Sequence, residues 1–202
     1  LAGALVAETC DIPLIHIEAG LRSHNMEMAE EYNRIETDKR SKLLFCPTQT
    51  AVNNLRKEGI TQGVYHVGDV MYDATLYFAE QAQKTSSILQ QLQIVSKQYY
   101  LATIHRAQTT DNTEKLANIL YAFQQIHHPI ILPLHPRTKK VIDNSIVLTK
   151  LIQESPKLRI IDSVSYLDML LLEKHAALIL TDSGGVQKES YFHHTPCITM
   201  RE

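Results

Sequence analysis

The sequence lacks any long basic run. Its 20 Lys and Arg stand against 22 Asp and Glu, a net charge of −2 over 202 residues, so the electrostatic footprint of a nucleic-acid binder is absent. No apolar run approaches the length of a membrane span and no signal-peptide pattern is present, so a membrane partner is not expected. Only three cysteines occur, Cys10, Cys46 and Cys197. They are widely spaced, odd in number and set in apolar surroundings. They read as buried, reduced thiols of a cytoplasmic protein rather than a disulfide frame or a zinc site. Cys-x-x-Cys, His-x-x-x-His and Asp-rich loops are missing, which argues against a metal. Gly-x-Gly-x-x-Gly and Walker A loops are missing too, leaving NAD and ATP chemistry without support.

What is present is alternation. Short apolar runs at Leu14–Ile17, Leu43–Cys46, Tyr65–Val67, Tyr99–Ile104, Pro129–Leu134, Arg159–Ile161, Ala177–Leu180 and Cys197–Met200 read as strands. Between them lie helical patterns at 29–40, 49–58, 71–83, 113–126, 136–143, 166–175 and 184–193. The clearest, 113–126, sets Leu116, Ile119, Leu120, Phe123 and Ile126 on one face behind an Asp111-x-x-Glu114 capping box. Strand–helix alternation with short loops predicts βαβ units and buried parallel strands. The polar, Gln-rich section 80–97 reads as a helical connector rather than core. It divides the chain into two Rossmann-like pieces, residues 1–93 and 94–202. The chain opens in what reads as mid-helix and stops after a strand-like segment, the pattern of a fragment.

Polar groups gather just after the predicted strands, the edge of a parallel sheet where ligands bind. Glu18-Ala-Gly-Leu-Arg22 follows the first strand, His105-Arg106 follows 99–104, and His135-Pro-Arg137 follows 129–134. The apolar run Ala176-Ala-Leu-Ile-Leu180 leads into Thr181-Asp-Ser-Gly-Gly-Val-Gln-Lys-Glu189. Two glycines there let backbone N–H groups approach an anion, with the dipole of the following helix pointing the same way. The same residues also make an ordinary strand-to-helix turn with Ser183 as N-cap. Arginine suits bidentate phosphate contacts, and histidine suits donor or acid–base work. His16, His66 and His175 read as structural imidazoles. Of the adjacent Glu30 and Glu31, about 100° apart on a helix, at most one faces a site. The alternative is a solvated face with Glu30–Arg34 and Glu31–Arg34 pairs.

Seven stretches together resemble the UDP-N-acetylglucosamine 2-epimerase family, in particular its bacterial non-hydrolysing branch. They are His16-Ile-Glu-Ala-Gly-Leu-Arg22, Glu30-Glu-x-Asn-Arg34, Pro47-Thr, Val67-Gly-Asp-Val-Met-Tyr-Asp73, Thr103-x-His-Arg106, Pro133-x-His-Pro-Arg137 and Thr181 to Glu189. The resemblance implies a glycosyltransferase-B-like α/β fold, two Rossmann-like parallel-sheet domains with a cleft between them. It also implies that the N-terminal domain is incomplete here, without a phosphate-binding Arg/Lys segment and a catalytic Asp, and that the final helices are missing. Ala29 replaces the Pro common before the Glu pair, which is expected to alter only the helix start.

The implied reaction is inversion at C2 of a UDP-N-acetylhexosamine by elimination and re-addition of UDP, supplying cell-surface polysaccharide precursors such as O-antigen. The resemblance assigns Glu18 and Glu30 to acid–base work and His105 to the leaving diphosphate, with Arg106 assisting. Ser183, Gly184 and Gly185 would hold the diphosphate, Glu189 the uridine ribose, and His135 and Arg137 would line the cleft. Neither a metal nor a redox cofactor is implied, and a homodimer is. Ser165-Tyr-Leu-Asp-Met-Leu and Val-Gln-Lys-Glu-Ser-Tyr-Phe further resemble epimerases of UDP-2,3-diacetamido-2,3-dideoxyglucuronate. A hydrolysing 2-epimerase, a glycosyltransferase of the same fold and a UDP-sugar-binding remnant without turnover remain as alternatives.

Overall fold

The computed structural model describes residues 1–200. They form two compact units, Leu1–Asp73 and Ala74 onward.

The first unit runs α1 (Ala2–Thr9), β1 (Ile15–Ile17), α2 (Ala29–Arg40), β2 (Leu43–Cys46), α3 (Gln49–Lys57) and β3 (Val64–His66), and contains the start of α4 (Val70–Thr85). Its three strands pair in parallel in the order β1-β2-β3, with His16 opposite Leu44 and Phe45 opposite Tyr65. Helix α3 starts where the Thr48 hydroxyl accepts from the Ala51 amide, an N-cap that satisfies one of the first-turn donors. It then lays Ala51 and Leu55 against Leu44, Cys46 and Ala19 to make the small core of this unit. The Ala19-Gly20 corner must pass close beneath α3. Gly20 has φ +75°, and a Cβ there would lie 2.4 Å from the Ala51 carbonyl oxygen, so only glycine fits.

The second unit continues with α5 (Ile88–Gln91), β4 (Tyr100–Thr103), α6 (Ala107–Thr110), α7 (Thr113–Gln124), β5 (Ile130–Leu134), α8 (Pro136–Asp143), α9 (Ile146–Gln153), β6 (Leu158–Asp162), α10 (Tyr166–His175), β7 (Leu178–Thr181), α11 (Gly184–Phe192) and β8 (Cys197–Thr199). Its five strands are parallel in the order β6-β5-β4-β7-β8. Alternate residues supply two cores, as the period of two dictates. Leu101, Ile131 and Ile179 face one way, onto Leu170, Leu171 and Leu172 of α10. Ala102, Ile130, Leu132 and Leu180 face the other, onto Leu116, Leu120 and Phe123 of α7. A sheet covered on both faces explains why its strands read as continuous apolar runs.

The eight expected strands and seven expected helices all occur, within a residue or two at their ends. Three expectations need correction. Section 80–97 is not a mere polar connector: Ala82, Ile88 and Leu92 are buried in the core of the second unit, which therefore begins at Ala74. Asp111 does not cap α7; the Asn112 side chain accepts from the Lys115 amide instead. Cys10 is exposed and Cys197 half-buried, so only Cys46 is a core thiol; all three are free.

Gly20→Ala should destabilise the first unit by more than ~2 kcal/mol, because strain at φ and a backbone clash add. Gly59→Ala should cost only about 1 kcal/mol, since Gly59 shares a positive φ (+82°) but nothing lies within 4 Å of where its Cβ would be. Urea denaturation of the two variants measures the difference, and equal losses would show that the contact with Ala51 is not limiting.

Candidate functional site

In the five-stranded sheet the chain builds outward from β4 through β5 to β6, then returns to pair β7 on the other side of β4. This reversal opens a crevice beyond the carboxyl ends of β4 and β7, the place where open α/β sheets bind ligands. The residues that emerge there are His105-Arg106 and Asp182-Ser183-Gly184.

Asp182 ties the two strand ends together. It is fully buried, at 0% exposure, a costly position for a carboxylate unless its oxygens are satisfied. The backbone N–H of His105 donates to it at 3.1 Å and that of Arg106 at 3.0 Å. The His105 Nδ1 lies 3.9 Å from Oδ1, and the ring remains 38% exposed. One strand pair further in, Thr103 and Thr181 share a hydrogen bond, and the Thr181 hydroxyl accepts from the Ser183 amide at 2.9 Å. The Thr138 hydroxyl donates to the Ile104 carbonyl. Both loops are thus fixed before any ligand is considered.

Ser183 is the N-cap of α11, its hydroxyl accepting from the Val186 amide at 3.4 Å. The local alternative, an N-capped turn, is therefore correct as far as it goes. It does not use up the site, because nothing lies within 4 Å of where a Gly184 Cβ would be. The start of this nine-residue helix is open, with its dipole favouring an anion.

His105 and His135 face each other with ring centroids 5.6 Å apart. They border a cavity of about 170 Å³ that Ser163, Val164, Met169 and Val186 also line. His135 caps α8 by accepting the Arg137 amide at Nδ1 (3.2 Å). The Arg137 guanidinium reaches back to both Asp111 oxygens at 2.8 and 2.7 Å. That ion pair is the use the structure has for Asp111.

Glu189 is 7% exposed and accepts from the Tyr166 hydroxyl at 3.1 Å. Burial raises its pKa, partly offset by that hydrogen bond and by Lys188. Glu173 on α10 is 0% exposed, and neither carboxyl oxygen has a hydrogen-bond partner among the described residues. Burial first, then the charge of Glu189, pushes its carboxyl well above the usual range. Sequence reasoning placed Asp182 at this junction without giving it a role, and missed Tyr166 and Glu173 as parts of the region. Only Asp182 left a trace, as a charge placed directly after a buried strand.

In the first unit Glu18 follows β1 with φ +68°. It lines a cavity of about 250 Å³ together with Ile17, Phe45, Pro47, Val67 and Asp73. The Glu30-Glu31 pair divides as expected, with one member committed. Glu31 is 2% exposed and accepts from the Ser23 amide (2.8 Å), the Ser23 hydroxyl (3.0 Å) and the His24 amide (3.0 Å). Burial alone would raise its pKa, but these donors outweigh burial and hold the carboxyl below its usual range. That corrects the expected Glu31–Arg34 pair. Glu30 stands exposed on the first turn of α2. The Arg22 side chain is only 2% exposed, between Asp38 at 2.8 Å and Glu58 at 2.7 Å. His16 and His175 are structural as expected, bonded to Asp38 and to Ser96. Among the described residues no group of three or more His, Cys, Asp or Glu could hold a metal ion, and no helix is long and apolar enough to cross a membrane.

The family model for UDP-N-acetylglucosamine 2-epimerase matches residues 1–202. A UDP-N-acetylglucosamine 2-epimerase homolog of Methanococcus maripaludis is 48% identical over the whole chain, which covers 56% of that protein. The UDP-2,3-diacetamido-2,3-dideoxy-D-glucuronate 2-epimerase of Pseudomonas aeruginosa is 46% identical, with all of the chain and 55% of the relative covered. The crystal structure of Methanocaldococcus jannaschii UDP-GlcNAc 2-epimerase in complex with UDP-GlcNAc and UDP superimposes with TM-score 0.89 at 44% identity, covering 100% of this chain and 57% of that one. The chain spans a little over half the length of the relatives it matches. Its two parallel α/β units are those of a glycosyltransferase-B-like fold.

Glu173→Gln tests the unpartnered carboxyl. A pKa raised in the folded state means that stability is fully present below the unfolded value and is lost as pH rises through the folded value. The glutamine stays neutral, so the variant should gain stability relative to the wild type as pH rises from the ordinary carboxylate range towards the raised folded-state value. Denaturant titrations across that range measure the difference. A flat difference would show that Glu173 is not held neutral.

Proposed function

The chain belongs to the UDP-N-acetylglucosamine 2-epimerase family, and from that premise we propose a non-hydrolysing epimerase acting at C2 of a UDP-N-acetylhexosamine, converting UDP-GlcNAc to UDP-ManNAc. The C2 proton of such a sugar is only weakly acidic, so direct removal and return is slow. Elimination avoids the difficulty. A carboxylate takes the C2 proton, the C–H electrons form the C1–C2 double bond, and the C1–O bond breaks to release UDP. Re-addition of UDP at C1 with protonation of C2 from the opposite face gives the epimer. The steps balance without an oxidant, a reductant or a metal.

Glu18 and Glu30 take the acid–base roles in this reading. His105, with Arg106, serves the charge that develops on the leaving diphosphate, where preorganised donors act most strongly. Ser183, Gly184 and Gly185 offer the diphosphate the open N-terminus of α11. Glu189 accepts from the ribose hydroxyls, and His135 and Arg137 border the same region. The observation that carries the reading is the Asp182 clamp, which sets His105-Arg106 beside the capped start of α11 at the reversal point of the sheet. Support for a cytoplasmic enzyme comes from its free thiols. The homodimer and the supply of polysaccharide precursors, O-antigen among them, rest on the family resemblance.

The 46% identity to the Pseudomonas aeruginosa protein favours one second reading, the same inversion on UDP-2,3-diacetamido-2,3-dideoxyglucuronate. Incubating the protein with each nucleotide sugar in heavy water and following C2 by NMR separates the two. Deuterium at C2 with an intact UDP linkage is the expected result. Free N-acetylmannosamine would indicate hydrolysis instead, and UDP binding by calorimetry without any exchange would leave a binding protein. Glu18→Gln and Glu30→Gln should each abolish exchange while UDP affinity stays within a few-fold; parallel loss of UDP binding would reassign those carboxylates.

A further inference from the structure

Glu18 holds a backbone conformation that a non-glycine residue rarely adopts, φ +68°. Such a conformation costs on the order of 1 kcal/mol or more and persists only where the surroundings over-determine it. The surroundings here converge on one side chain. Asp38, near the end of α2, has a side chain with 0% exposure. Its Oδ1 lies 2.6 Å from His16 Nδ1, and its Oδ2 accepts from the Gly20 amide at 3.1 Å. His16 is two residues before Glu18 and Gly20 two residues after it. The two carboxylate oxygens therefore hold the chain on both sides of the strained residue.

We infer that Asp38 is a positioning residue for Glu18, fixing the left-handed turn that aims its carboxylate. The assignment of Glu18 to acid–base chemistry is the reading proposed above, and this inference rests on it.

The arrangement requires a carboxylate. Both oxygens act as acceptors, and the Arg22 guanidinium at 2.8 Å from Oδ2 balances the charge. Glu58 in turn holds Arg22 through two hydrogen bonds of 2.7 Å, so the clamp is braced from the C-terminal end of α3. Two other bonds meet the same corner, Ala19 N–H to the Phe45 carbonyl at 3.1 Å and Asn54 Nδ2 to the Gly20 carbonyl at 3.0 Å. They anchor the corner to β2 and α3. The His16 side is paired to β2, His16 with Leu44 and Ile17 with Phe45, and the Asp38 side chain ties this strand to the Gly20 side of the turn.

The test reads geometry and turnover separately. A positive φ brings a residue's own amide and Hα protons close and gives a strong NOE between them. In Asp38→Ala this NOE at Glu18 should weaken, kcat for C2 exchange should fall on the order of 10- to 100-fold as expected for a displaced catalytic group, and KM should change less than about 3-fold. His16→Ala, which removes one arm of the clamp, should move the same signals less and serves in place of Asp38→Ala if that variant does not fold. An unchanged Glu18 NOE in the variant would overturn the inference. A displaced Glu18 with unchanged exchange would keep the clamp but remove Glu18 from the reaction, a failure of the functional reading and not of the geometry.

Discussion

One buried carboxylate organises the second unit. Asp182 sits at 0% exposure at the end of β7 and receives the amides of His105 and Arg106 from the end of β4. The bonds to these amides satisfy an anion that burial would otherwise make expensive. They also decide where the two loops at the reversal point of the sheet go. The Thr103–Thr181 pair, the bond from the Ser183 amide to Thr181 and the cap on α11 follow from strands held in that register.

The first unit repeats the device with different residues. Asp38 gathers His16, Gly20 and Arg22, and Glu31 gathers Ser23 and His24. In each case an acidic side chain from one element takes the backbone amides of a loop that has no regular structure of its own. Glu173 departs from the pattern: equally buried, it has no hydrogen-bond partner among the described residues, and its neighbour Glu189 is of the same sign. Asp182, Asp38 and Glu31 fasten loops, whereas burial and the like charge of Glu189 push the Glu173 carboxyl above its usual range.

How much of this the sequence carried depends on the range of the interaction. Strands such as Leu178–Thr181 and Ile130–Leu134 were legible because burial on both faces writes a continuous apolar run. Helices 29–40, 136–143 and 166–175 were legible to the residue, since caps and period act within a few positions. The helix Ile146–Gln153 was not identified, although Leu148, Leu151 and Ile152 share a face that packs on the core. Asp111 was read as a cap because it stands three residues before Glu114. Its actual partner, Arg137, is 26 positions away, beyond any local pattern. The same holds for the burial of Ile88 and Leu92: their glutamine neighbours suggested a connector, while α10, far along the chain, supplies the core they enter. Glu30 and Glu31 were correctly expected to diverge, but helical geometry could not say which one the Ser23-His24 loop would claim.

The strand order has a kinetic consequence. β4 is the central strand, yet its partner on one side, β7, enters the sequence only after β5, β6 and five helices have been made. Asp182 therefore finds its amides 77 positions back along the chain. During synthesis one flank of β4 stays an unpaired edge until residue 181 is free to dock, the situation in which folding is slow and wrong edge pairing competes. The crevice beyond the ends of β4 and β7 therefore takes shape only once β7 has docked.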